Sequence, residues 1–225
     1  MIEDGNDFEL VIFDCDGVLV DSEPLSLEAL RIMLAKRDVE LSTAQAAAAF
    51  QGISLADTRA HIEKVYNLTL TDEDIKIMHE GLFRQFEESL KPISGAFDFI
   101  KELSIPYCVA SSSGPFRIDL SLACTGLKTL FSDNLFSSTM VDKGKPEPDL
   151  FLYAADHMNF SASKKVCVIE DSVMGIKAAK RAGMTAIGFT AGTHLNTQKD
   201  SQVLIDAGAD WVVDSYSELS NLLER

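Results

Sequence analysis

The chain has 225 residues, 46% of them hydrophobic, enough to bury a full core and to leave room for an inserted module beside one domain. With 20 basic against 35 acidic residues its formal net charge is -15, which opposes binding to nucleic-acid phosphates and to anionic membranes and favours a small-molecule substrate. No run approaches a membrane span, and the segment from Met1 to Asp7 is acidic where a secretory leader would be basic, so a cytoplasmic globular enzyme without membrane or nucleic-acid partners is expected, as a monomer.

In chain order, the first element is the apolar stretch Leu10 to Phe13, which ends on Asp14. Four consecutive apolar residues predict a strand covered on both faces of a parallel sheet. From Glu23 to about Lys91 the pattern turns helical, with Pro24 at its start, Pro92 just past its end and no buried strand between them. Thr71 is an expected N-cap there, followed by acids that suit a helix N-terminus. Ala46 to Ala49 reads as helix, and Met78, Leu82, Phe83 and Phe86 read as a packing face.

The apolar strand pattern then returns at Tyr107 to Ala110 before Ser111, at Val166 to Ile169 before Glu170, at Ala186 to Phe189 and at Trp211 to Val213. A helix is expected over Val173 to Ala182, closed by Gly183. This βαβα alternation predicts a doubly wound (Rossmann-like) α/β core made of residues 1–22 and 92–225, with a helical insertion at 23–91. Cys15, Cys108, Cys124 and Cys167 lack metal-site spacing and read as core thiols. The four histidines are scattered and are expected at the surface, and Trp211 is expected to seal the end of the sheet.

In an open parallel sheet, ligands bind where strands end, so the polar residues after these strands should converge. Asp14 and Asp16, separated by one residue before Gly17, can divide the work of nucleophile and proton donor. A carboxylate that attacks a phosphate needs a cation to screen both charges, and Asp171 with Glu170 supplies oxygen ligands suited to Mg²⁺. Lys145, between Gly144 and Pro146, can neutralise phosphate and hold Asp14 ionised. Ser111 can donate to a phosphate oxygen, with Ser112 and Ser113 as alternatives, and Pro115 suits the first turn of the next helix. Taken singly, each feature has a plain structural alternative: a turn, a cap or a surface lysine.

In this order they resemble the motifs of the haloacid dehalogenase-like hydrolases. Phe13 to Ser22 is similar to the first motif, Val109-Ala-Ser111 to the second, Lys145-Pro146 to the third and Ile169-Glu-Asp-Ser172 to the fourth. The resemblance implies Asp14 as nucleophile forming an aspartyl-phosphate, Asp16 as acid and base, and Mg²⁺ held by Asp14, the Asp16 main-chain carbonyl and Asp171. It also implies that 23–91 is a cap that closes over the crevice, with selectivity residing in Gln51, Gly52 and neighbouring residues to Asp57, and in Arg59. Within the family the chain is similar to the β-phosphoglucomutase and sugar-phosphate phosphatase branch, including 6-phosphogluconate phosphatase-type members. It departs from the mutase pattern at Ser26, where a histidine is expected, and at Leu55, where a phosphate-gripping arginine is expected. Arg59 either replaces that cation or is a solvated helix residue. The expectation is a phosphatase of a small phosphorylated metabolite; a phosphomutase and a phosphate-storing receiver-like domain are the competing readings.

Overall fold

The computed structural model describes residues 7–223, apart from residues 52, 54 and 196. The chain divides into two compact units, Met1–Asp21 with Lys91–Arg225, and Ser22–Leu90.

The first unit is built on a six-stranded sheet in the order β3-β2-β1-β4-β5-β6. The strands are β1 (Leu10–Phe13), β2 (Tyr107–Ser111), β3 (Leu135–Ser137), β4 (Val166–Glu170), β5 (Thr185–Phe189) and β6 (Trp211–Val213). Every neighbouring pair is parallel. β3 has no counterpart among the expected strands, because three residues at a sheet edge are too few for a periodic signal. The strand order reverses at β1, so the crevice beyond its C-terminal end is where a ligand is expected in a doubly wound sheet.

The pleat sends successive side chains to opposite faces. Leu10 and Ile12 join Cys108, Ala110, Val166 and Val168 in one fully buried cluster. It is covered by Phe151 and Ala154 from α8 (Asp149–His157) and by Ile176 and Ala179 from α9 (Val173–Arg181). On the other face Phe13 meets Phe99 and Phe131 edge-on, each at 6.2 Å between ring centroids. Those rings come from α5 (Ala96–Glu102) and α7 (Lys128–Phe131), while α6 (Pro115–Cys124), α10 (Thr197–Asp206) and α11 (Tyr216–Leu223) complete the layers. All four cysteines are free thiols, and Cys15, Cys108 and Cys167 are buried.

The second unit contains α1 (Glu23–Ala35), α2 (Thr43–Phe50), α3 (Leu55–Tyr66) and α4 (Asp72–Ser89). Leu30, Met33, Leu34, Ala46, Phe50 and Ile62 form its core. Thr71 caps α4 in a reciprocal box with Asp74, whose carboxylate also accepts from Arg37 Nη1 at 2.5 Å. Among the described residues, no helix is long and apolar enough to cross a membrane.

Candidate active site

The register of the sheet brings the strand ends level. Phe13 pairs with Val109 on one side and Ile169 on the other, and the Asp14 N–H donates to Ile169 O at 3.0 Å. The chain leaving β1 then turns within a few residues: Gly17 N–H donates to Val20 O at 2.8 Å, and Leu19 and Val20 both donate to Cys15 O. Gly17 has φ +75°, and a Cβ there would fall 1.8 Å from Asp171 Oδ2. Glycine is therefore required both by the backbone conformation and by the approach of the β4 loop. Tyr216, buried, holds the same turn through its hydroxyl, which donates to Val18 O at 2.8 Å.

Lys145 is nearly fully buried. Its Nζ donates to Asp14 Oδ1 at 2.7 Å, to Glu170 Oε1 at 2.5 Å and to Ala110 O at 3.0 Å, using all three ammonium protons. The surface-lysine alternative is thus overturned. The Lys145-Pro146 peptide bond is cis. Burial disfavours the ammonium, but the charges of Asp14 and Glu170 and their hydrogen bonds outweigh it and raise the Lys145 pKa, so the side chain is a cation.

Asp14 has the opposite balance. Burial pushes its carboxyl well above the usual range, Lys145 pulls it back, and the charges of Glu170, Asp171 and Asp16 push it up again. Oxygen atoms of Asp14, Glu170 and Asp171 lie within 4.8 Å of one another. This group of hard oxygen donors carries more negative charge than Lys145 offsets, which suits a divalent cation such as Mg²⁺. Glu170 is also bonded outside this group: beyond Lys145, its Oε2 accepts from Ser172 N–H at 3.1 Å and Ser172 Oγ at 2.9 Å. Ser172 in turn caps α9 by accepting from Gly175 N–H at 3.0 Å. Cys15, between the two aspartates, has its thiol pushed up by burial and by Asp16 and Asp14, which keeps it protonated.

Asp16 is held by residues that the sequence left ambiguous or silent. Ser113 Oγ donates to its Oδ2 at 2.6 Å, and Arg117 Nη2 donates to its Oδ1 at 2.8 Å. Of the three serines, Ser111 is buried and its Oγ accepts from Ser113 N–H at 3.1 Å, while Ser112 is exposed and its carbonyl accepts from Ser138 Oγ at 2.7 Å. Arg117 lies in the first turn of α6, which Pro115 opens. Its position three residues after Gly114 was a readable hint, since the first helical turn after β2 faces the same crevice.

The expectation that all four histidines lie at the surface fails at His194. Its side chain is 8% exposed, and Nε2 lies 3.3 Å from Asp171 Oδ2. The loop after β5 carries it there, a placement set by tertiary structure rather than by any motif. His157 is exposed, as expected, and His61 is packed edge-on against Phe50 at 5.2 Å. In the second unit, Gln51 is exposed at the end of α2, and Arg59 Nη2 lies 3.5 Å from Asp72 Oδ1. Gly52 lies outside the described residues.

The haloacid dehalogenase-like hydrolase model matches residues 8–183. The chain belongs to this hydrolase family. Among its relatives, the 6-phosphogluconate phosphatase of Escherichia coli is 29% identical over 187 residues, covering 83% of this chain and 84% of that protein. The phosphorylated carbohydrates phosphatase of Thermotoga maritima is 31% identical over 221 residues, covering 96% and 99%. A haloacid dehalogenase-like protein of unknown function from Agrobacterium tumefaciens has a solved structure that superposes with a TM-score of 0.84 at 32% identity, covering 96% of this chain and 97% of that one. These matches cover most of this hydrolase and most of each relative.

Proposed function

We propose that this hydrolase is a Mg²⁺-dependent phosphatase of a small phosphorylated metabolite, a sugar or sugar-acid phosphate, acting through an aspartyl-phosphate on Asp14. The observation that carries this reading is the separate environment of the two aspartates. Asp14 Oδ1 is held by Lys145, whereas both oxygens of Asp16 are held by Ser113 and Arg117. Two carboxylates in different surroundings suit a nucleophile and a proton carrier. The names of the Escherichia coli and Thermotoga maritima relatives support the substrate class.

In the first step an Asp14 oxygen attacks phosphorus in line with the ester oxygen, the phosphorus–oxygen ester bond breaks, and the carboxyl of Asp16 protonates the departing alcohol. Water then attacks phosphorus, gives its proton to the Asp16 carboxylate and displaces Asp14, which releases inorganic phosphate. Lys145 keeps Asp14 oriented, and the Ser111 hydroxyl and the N–H groups at the start of α6 offer donors for phosphate oxygens. Asp14, Asp171, the Asp16 carbonyl and Glu170 would hold Mg²⁺, which supplies charge neutralisation for the nucleophile and the phosphate when bound. Residues 23–91 are proposed as the cap, with Gln51, Gly52, Ser112 and Arg59 as substrate contacts.

The test is phosphate release from a panel of phosphorylated sugars and sugar acids with Mg²⁺, with Asp14→Asn as the blank. Turnover that requires both Mg²⁺ and Asp14 is expected. No hydrolysis of any panel member, or of an aryl phosphate, would overturn the reading, and an isomerised sugar phosphate without free phosphate would replace it with a phosphomutase.

A further inference from the structure

The loop that follows β5 is fastened to the loop that follows β1. Thr193 N–H and Oγ1 donate to Asp21 Oδ1 and Oδ2 at 3.2 and 2.7 Å. Thr190 N–H donates to Val213 O, and Leu195 N–H to Gly192 O, both at 3.0 Å. His194 projects from this loop so that Nε2 is 3.3 Å from Asp171 Oδ2, with both side chains largely buried. Two glycines make the space. A Cβ on Gly17 would lie 3.0 Å from His194 Cε1, and one on Gly192 would lie 2.7 Å from His194 Cε1 and Nδ1. The imidazole is therefore enclosed between the turn after β1 and its own loop, against one oxygen of a carboxylate in the acidic group.

We infer that His194 is a positioning residue for Asp171: its Nε2–H faces Oδ2, restricts rotation of the carboxylate and preorganises it for a divalent cation. The inference rests on the Mg²⁺-dependent reading above. A carboxylate among other buried carboxylates gains little from staying in place, because its neighbours repel it; a fixed donor supplies the orientation. The role as an additional ligand fits less well, since a hard cation of the Mg²⁺ type takes oxygen donors and imidazole suits softer metals. Nor is the imidazole needed to anchor the loop, which Thr193 and Asp21 already fasten.

The test is isothermal titration of Mg²⁺ into the metal-free wild type and into His194→Ala, His194→Gln and His194→Phe, with circular dichroism and thermal melting to verify folding. Loss of an outer hydrogen bond to a metal ligand typically weakens metal affinity about 10–100-fold, and that loss is expected in His194→Ala. His194→Gln, whose amide N–H can reach Oδ2, should recover most of it. In catalysis the apparent Mg²⁺ requirement should rise while KM for the phosphorylated substrate at saturating Mg²⁺ stays unchanged. Wild-type Mg²⁺ affinity in a folded His194→Ala would overturn the inference; if that variant does not fold, wild-type affinity in His194→Phe, which fills the space without a donor, would do so. A wild type that binds no Mg²⁺ would overturn the parent reading as well, whereas binding by the wild type with indifferent variants would overturn this inference alone.

Discussion

Lys145 and Asp14 come from positions 131 residues apart, yet Nζ lies 2.7 Å from Oδ1 inside a buried site, with Glu170 on the far side of the same ammonium. Replacing Lys145 by methionine keeps the length of the side chain but leaves two buried carboxylates facing each other. Breaking a buried ion pair by removing one partner costs about 3–5 kcal/mol, so Lys145→Met should lower stability by roughly that amount in urea titration without added metal. Phosphate release should fall below detection in the same variant. Unchanged stability would show that the pair contributes nothing net.

Gly175 offers a test of the support behind Lys145. A Cβ there would stand 1.8 Å from Glu170 Cδ and 2.0 Å from its Oε1. Gly175→Ala must therefore displace either the Glu170 carboxylate or the start of α9, and with it the hydrogen bonds to Lys145 and Ser172. A loss of at least about tenfold in kcat is expected despite the helix propensity that alanine adds, because one hydrogen bond to a charged group is worth about 1.5–3 kcal/mol. The measurement is kcat with a parallel melting curve.

Arg117 and Ser113 address Asp16 from one side of the site. Arg117→Ala and Ser113→Ala should each reduce kcat by about 10–100-fold, the range of a hydrogen bond to a charged group. The two effects should be less than additive, since both act through one carboxylate. Additive losses in a double-mutant cycle would show that the two residues act independently of Asp16.

Asp74 gives the pH-dependent prediction. Hydrogen bonds from the Thr71 hydroxyl and N–H, then from Arg37, lower its pKa from the usual range to about 2. A carboxyl depressed on folding contributes stability above its unfolded value near 4, and that contribution disappears as pH falls from about 4 to about 2. Asp74→Ala should cost about 1–2 kcal/mol at neutral pH, the scale of a lost helix cap, and the gap from wild type should narrow toward pH 2. A gap that does not change with pH would assign the loss to packing instead.

Much of the site was legible because its residues sit directly after apolar strands. Asp14, Ser111, Glu170 and Asp171 follow β1, close β2 and β4, or stand one step beyond, and the pleat and parallel register then bring them level. The capping box at Thr71 was similarly local, since its partners are three residues apart. β3 escaped because an edge strand of three residues carries no period.

The amino-acid sequence by itself determined five of the strands, the helical character of residues 23–91, the acids at the strand ends and the start of α4, because each depends on residues close together in the chain. Only the tertiary structure decided which serine reaches Asp16, that Arg117 joins it, that Glu170 shares Lys145 with Asp14, and that His194 lies beside Asp171. These partners are 23 to 131 residues apart, for His194 with Asp171 and Lys145 with Asp14, and their meeting depends on how loops leave a finished sheet. A histidine among polar loop residues carries no period or spacing that would foretell its burial.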